Sequence, residues 1–279
     1  MYSIYWQKEI IKMKMLITGT TGFVGHKIME AYGQATAAPS LRNATQEMIK
    51  RMVEESEADV VVHTAAISDI GTCQKNPEAS YFANVQIPVY LANACKNRKL
   101  VCFSSDQVYS ACEENGPYVE EVVNPGNIYA EHKLEMEKRV LDLVPSAVML
   151  RAEWMYDYIS QKPNYFLNMI HAEQQVMFSS RQFRGITYLK EVVENMDHVI
   201  TLPGGIYNFG SETTQSMYEI TEQFLKLLGK QVLVQDVSPR HNLWMNCEKA
   251  RKYGVEFSDA FNGLKRCVSD YHKCVFLDS

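Results

Sequence analysis

No stretch of this chain approaches the roughly 18 unbroken apolar residues of a membrane-spanning helix. No dense Lys/Arg tract occurs either, and 28 basic against 33 acidic side chains leave a formal charge of −5. Phosphate-backbone binding needs a basic face, so the reading carries no membrane and no nucleic-acid partner. Cysteine chemistry is equally sparse. Cys73, Cys95, Cys102, Cys112, Cys247, Cys267 and Cys274 form no C-x-x-C pair and no Cys/His cluster with zinc spacing. Their odd number points to free thiols in a reducing cytosol, hence a cytoplasmic protein. The first twelve residues lack the apolar core of a signal peptide. Met13-Lys14-Met15 looks like an equally natural start, so residues 1–12 are expected to be an extension of no consequence. No internal repeat or low-complexity tract is visible.

What is present is a rhythm. A chain of 279 residues is long enough for one large α/β core and a smaller lobe. Apolar runs at 14–18, 34–38, 59–64, 100–104 and 146–151 read as strands. Amphipathic stretches near 23–33, 45–57, 77–97 and 127–143 read as the helices between them. Near-continuous apolar strands alternating with helices predict a doubly wound parallel sheet of Rossmann type. After Arg151 the segments become richer in aromatics. A helix is expected at about 187–199, a short strand at 204–210, a helix near 214–229, a strand at 231–235 and helical segments to the end. The expected division is therefore a dinucleotide-binding domain over 1–151 and a smaller substrate lobe over 152–279, with the 187–199 helix packing back on the first.

The glycine turn Thr18-Gly19-Thr20-Thr21-Gly22-Phe23-Val24-Gly25 follows an apolar strand and opens a helix. Gly19 permits a tight turn, Gly22 lets the backbone approach a pyrophosphate, and Gly25 lets helix and strand pack closely. The helix start, with Thr21, Phe23 and Val24, offers N–H groups to the phosphates. Cofactor choice is read at the end of the second strand. There the chain has Ser40 and Arg42 and no acid. Either they meet a 2′-phosphate, which favours NADPH over NADH, or Arg42 is a solvated loop residue.

Tyr129 and Lys133 lie one helical turn apart and share a face. A phenol of pKa near 10 is a poor acid/base at neutral pH, and a neighbouring ammonium lowers it. The turn residues Asn124-Pro125-Gly126-Asn127 place Tyr129 in the first helical turn, near the strand ends where such sheets bind ligands. Ser105 falls just past the fourth strand, where its hydroxyl can polarise a substrate carbonyl while Tyr129 protonates it.

With these residues in view, the chain resembles the extended short-chain dehydrogenase/reductase superfamily, and within it the dTDP-4-dehydrorhamnose reductase group. The blocks that carry the resemblance are the glycine turn, Asp59-Val60-Val61-Val62-His63-Thr64-Ala65-Ala66, Ser104-Ser105-Asp106-Gln107-Val108-Tyr109 and Asn127-x-Tyr129-x-x-x-Lys133. Weaker blocks follow: Arg151-Ala152-Glu153-Trp154-Met155-Tyr156, Gly205-Ile206-Tyr207-Asn208 and Pro239-Arg240-His241-Asn242. The resemblance implies Tyr129 as proton donor, Lys133 on the nicotinamide ribose, and Ser105 completing the triad. It implies Ala65, Ala66 and Asn84 at the cofactor and Trp154 at the substrate; Ser68, Asp106, Gln107 and Arg184 are the further candidate substrate residues. The substrate implied is a nucleotide-linked 4-keto sugar, reduced by hydride from NADPH or NADH, and a homodimer through the 77–97 and 127–143 helices follows by analogy. The loop after Ala66 and the segment Arg181-Gln182-Phe183-Arg184 depart from the group's usual pattern. Arg184 either contacts a substrate phosphate or is solvated. Gln107 stands where 4,6-dehydratases use a second acid, which disfavours elimination. A 4-epimerase, or a non-catalytic subunit like the regulatory subunit of methionine adenosyltransferase, stays open.

Overall fold

The computed structural model describes residues 13–160, 162–238 and 241–277. β1 (Met15–Thr18), β2 (Thr36–Ala37), β3 (Val60–His63), β4 (Lys99–Ser105) and β5 (Val148–Ala152) alternate with helices over Phe23–Ala31, Gln46–Ser56, Ile70–Ala94 in segments, and Ile128–Leu143. The central sheet has six strands in the order Gly205–Phe209, β5, β4, β3, β1, β2, all parallel.

Strand side chains alternate faces, and the two cores follow that alternation. Met15, Ile17, Val60, Val62, Val101, Phe103, Val148 and Leu150 fill one core, beneath the helices bearing Ile28, Val192 and Val199. Leu16, Val61, Leu100, Cys102 and Met149 fill the other, against Ile49, Val53, Leu91, Met136 and Val140. Burial on both faces explains why these strands read as continuous apolar runs. The sheet's sixth strand and the helices Leu189–Glu194 and Met196–Thr201 come from beyond residue 151 and belong to the first of these cores.

A third core is built on Tyr156, Phe166, Tyr188, Ile220, Phe224 and Leu264, and a separate fourth one gathers Val108, Tyr109, Tyr118, Leu243, Met245 and Cys247. Around them lie three two-stranded parallel pairs: Trp154–Tyr156 with Ile186–Tyr188, Gln175–Phe178 with Leu233–Asp236, and Gln182–Phe183 with His241–Asn242.

Several expectations need correction. The 77–97 helix is three segments, Pro77–Tyr81, a π-turn over Phe82–Gln86, and Ile87–Ala94. Pro88 donates no N–H and its ring crowds the carbonyl four residues back, so a widened turn precedes it. The 187–199 segment begins as strand through Tyr188 and breaks at Asn195, whose side chain bonds the backbone of Glu256. The 34–38 strand is only Thr36–Ala37. The strand at Gln175–Phe178, which pairs with the expected one near 231–235, was not foreseen. Residues 1–12, and Pro239 and Arg240 of the last motif, lie outside the described residues.

Candidate active site

The glycine turn does what its sequence demands. Gly19 has φ +74°, and a Cβ there would sit 2.7 Å from the Ala65 nitrogen. Gly22 N–H donates to the Gly19 carbonyl at 2.8 Å, closing the turn. A Cβ on Gly25 would collide with the Gly19 carbonyl and the Thr64 hydroxyl, so only glycine lets the helix approach β1 and β3 this closely. The Phe23–Ala31 helix has no side-chain cap and no acid in its first turn, leaving its positive end for an anion.

In front of this turn lies a cleft of about 990 Å³, large enough for an extended cofactor. Its walls are Gly19–Gly22, the Ala38–Asn43 segment after β2, Thr64–Ile67 after β3, and the helical residues Glu78, Ala79, Phe82, Ala83 and Ile87. Thr21, Ser40, Arg42, Ala65 and Ala66 thus line one cleft. Lys162, from beyond β5, also lines it; nothing in the sequence pattern singled it out. Glu78 is the single acid among the lining residues, so the region beyond β2 carries no carboxylate to repel a 2′-phosphate. These residues fit a dinucleotide.

Three predicted cofactor residues act otherwise through their side chains. Phe23 and Val24 pack on the sheet core. Asn84 is buried; its Oδ1 accepts from Ile67 N at 3.1 Å and its Nδ2 donates to the Ile67 carbonyl at 2.9 Å. It clamps the Ala65–Ile67 loop rather than lining the cleft.

Ser105, Tyr129 and Lys133 do not line this cleft; they gather, all buried, at the carboxyl end of β4. Asn127 caps their helix by accepting from Ala130 N at 3.0 Å, which fixes Tyr129 in the first turn. Ser105 stands beside the Tyr129 phenol and favours its ionised form. Lys133 Nζ lies 5.7 Å from the Tyr129 ring centroid and donates to the Phe103 carbonyl at 2.7 Å. The expected lowering of the Tyr129 pKa is not found. Burial pushes the phenol up, only partly offset by Ser105, while burial also pulls Lys133 down to about 8. Tyr129 therefore holds its proton at neutral pH. His63, bonded through Nδ1 to the Thr18 hydroxyl at 2.7 Å, is kept neutral by burial and by Lys133, with its pKa near 3.

The predicted substrate residues divide. Gln107 is buried and accepts from Asn127 Nδ2 at 3.3 Å, while Ser68 is exposed on the loop after β3. Trp154 is 46% exposed, and the Arg184 guanidinium lies 3.8 Å from its ring centroid. Arg184 is neither solvated nor free for a substrate phosphate; it is fully buried and ion-paired with Asp106. Asp106 in turn accepts from Ser105 Oγ at 3.2 Å.

Two supporting groups escaped the sequence reading. Glu153 is buried between Gly185 and Gly210 and accepts from Thr187 Oγ1 and from Ser211 N at 2.8 Å. Burial, opposed by those hydrogen bonds and by Arg184, raises its pKa to about 8. Glu137, four residues beyond Lys133, pairs with Arg151 of β5 in a wholly buried bridge. An acid in the middle of an apolar helical face was the available signal for Glu137.

The family model described as the RmlD substrate binding domain matches residues 13–251. A dTDP-4-dehydrorhamnose reductase of Mycolicibacterium smegmatis is 29% identical over 157 residues, covering 53% of this chain and 47% of its own. This chain thus spans about half the length of that relative. Methionine adenosyltransferase 2 subunit beta of Rattus norvegicus is 27% identical over 206 residues, covering 68% of this chain and 57% of its own. Among solved structures, dTDP-4-dehydrorhamnose reductase from Bacillus anthracis in complex with NADP superposes with a TM-score of 0.81 at 20% identity, covering 93% of this chain and 99% of the other. At that identity the likeness bears on the fold.

Proposed function

We propose, from the premise that the chain belongs to the RmlD substrate binding domain family, that this protein is an NADPH-dependent reductase of a nucleotide-linked 4-keto-6-deoxy sugar. One observation carries the chemistry: Ser105, Tyr129 and Lys133 are buried together at the carboxyl end of β4, with Lys133 Nζ 5.7 Å from the Tyr129 ring centroid, in the same sheet whose β1 end opens on the cofactor cleft.

Bound NADPH supplies the hydride. The Gly19–Gly25 turn and the uncapped helix end would hold its pyrophosphate, and Arg42 with Ser40 would take the 2′-phosphate. Lys133, anchored on the Phe103 carbonyl, would hold the nicotinamide ribose. Ser105 hydrogen-bonds the ketone oxygen and polarises it. Tyr129, kept protonated by burial, delivers its proton to that oxygen as charge develops. The segment from Ala152 onward holds the sugar, with Trp154 at its face.

The test is loss of nicotinamide absorbance on mixing the protein and NADPH with a dTDP-4-keto-6-deoxy sugar. Turnover that falls about 10²–10⁴-fold in Tyr129→Phe, with NADPH binding retained, supports the reading. Tight NADPH binding without turnover on any nucleotide keto-sugar overturns it. That outcome would favour a non-catalytic role of the kind the kinship with methionine adenosyltransferase 2 subunit beta suggests.

A further inference from the structure

Behind Ser105 lies a chain of contacts that the reduction by itself does not require. Arg184 and Asp106 come from segments 78 residues apart and meet in a buried ion pair through Asp106 Oδ2. The other carboxylate oxygen, Oδ1, accepts from Ser105 Oγ at 3.2 Å. Trp154 covers the guanidinium, its ring centroid 3.8 Å from Cζ. A buried arginine and carboxylate each cost several kcal/mol in lost hydration. A surface-independent pair placed one hydrogen bond from a reacting hydroxyl calls for an account.

We propose that Arg184 is a positioning residue of the reductase site, holding Asp106 Oδ2 so that Oδ1 orients Ser105 beside Tyr129. It rests on the reductase reading of the site. The two carboxylate oxygens divide the work. Engaged by Arg184, Asp106 is a weaker acceptor for the Ser105 proton, and that proton is freed for a ketone oxygen. Arg184 also balances the carboxylate charge that otherwise bears on the Tyr129 phenol. Among the described residues, the charged and titratable groups around Tyr129 are Asp106 beyond the end of β4, Cys73 from the Ile70–Lys75 helix, and Lys133 from its own helix. Behind Asp106 stand Arg184 and Glu153. Glu153 is protonated at neutral pH, so Asp106 and Arg184 balance each other's charge.

The experiment compares wild type with R184Q, R184K, D106N and D106N/R184Q, all carrying tyrosine labelled with ¹³C at Cζ. The Tyr129 resonance is assigned by its loss in Tyr129→Phe. R184Q is expected to move that resonance, lower kcat about tenfold with KM within about twofold, and shift the pH profile of kcat upward. R184K, which keeps a cation but loses the planar fork stacked on Trp154, is expected to fall between wild type and R184Q. In D106N/R184Q no charge is left unpaired, and both resonance and profile return toward wild type. Should R184Q not fold, D106N against D106N/R184Q carries the test, the double variant being the nearer to wild type. An R184Q protein with the wild-type resonance and profile overturns the proposal, as does a double variant worse than its singles. A wild-type protein inert toward keto-sugars defeats the reductase reading, and the resonance still decides the role of Arg184.

Discussion

Arg151 of β5 and Glu137 of the Ile128–Leu143 helix form a bidentate pair, Nε to Oε1 at 3.0 Å and Nη2 to Oε2 at 2.7 Å, with both side chains buried. Glu137 also accepts from the Ser104 hydroxyl, and Arg151 donates to the Tyr109 hydroxyl at 2.9 Å and the Glu120 carbonyl at 2.7 Å. One helical turn before Glu137 is Lys133, and one turn before that is Tyr129. The pair thus fastens the helix that carries two catalytic candidates to the strands β4 and β5 that carry the third.

Glu137→Ala strands the Arg151 charge in the interior. We expect a loss of about 3–5 kcal/mol of stability, read as a fall in denaturant midpoint at unchanged slope. A loss below about 1 kcal/mol would show that the bridge is replaceable by water.

Arg42→Ala removes the cation expected at the 2′-phosphate. NADPH affinity should fall about tenfold or more, corresponding to one charge-assisted hydrogen bond, with NADH affinity within about twofold of wild type. Fluorescence titration with each nucleotide measures the ratio. Equal weakening of both would place Arg42 elsewhere on the cofactor.

Gly25→Ala pushes a methyl group into the Gly19 carbonyl and the Thr64 hydroxyl. The helix must move off the strands, so both NADPH and NADH should bind at least about tenfold more weakly. Isothermal titration of each nucleotide against a variant of native circular dichroism tests it. Unchanged affinity would mean that the turn does not cradle the cofactor.

Glu153 gives a pH signature. Its carboxyl titrates at about 8 in the folded chain, against an ordinary value of 4.5. The folded state therefore retains a proton that the unfolded state gives up between those values. Its contribution is fully present below about 4.5 and lost as pH rises through about 8. Wild type should lose stability relative to Glu153→Gln across that window, measured by urea unfolding at a series of pH values. Parallel curves for the two proteins would contradict the buried, protonated carboxyl.

Much of this was legible in the sequence for local reasons. Gly19, Gly22 and Gly25 announce a turn because Gly19 takes a left-handed φ and a Cβ at Gly25 has no room beside the Gly19 carbonyl. The near-continuous apolar runs through Met15–Thr18 and Val60–His63 announce strands buried on both faces, and the four-residue spacing of Tyr129 and Lys133 puts them on one helical face. The tertiary structure decided what spacing cannot encode. It made Asn84 a clamp on Ile67, sent Phe23 and Val24 into the core, and opened a π-turn ahead of Pro88. It brought Arg184 to Asp106 across 78 residues of chain. It also reversed the expected pKa of Tyr129, because desolvation depends on everything packed around a phenol and not on the lysine one turn away. Periodicity and turn chemistry act over a few residues and can be read in order. Burial, charge pairing and shared cavities are sums over neighbours that only the folded chain brings together.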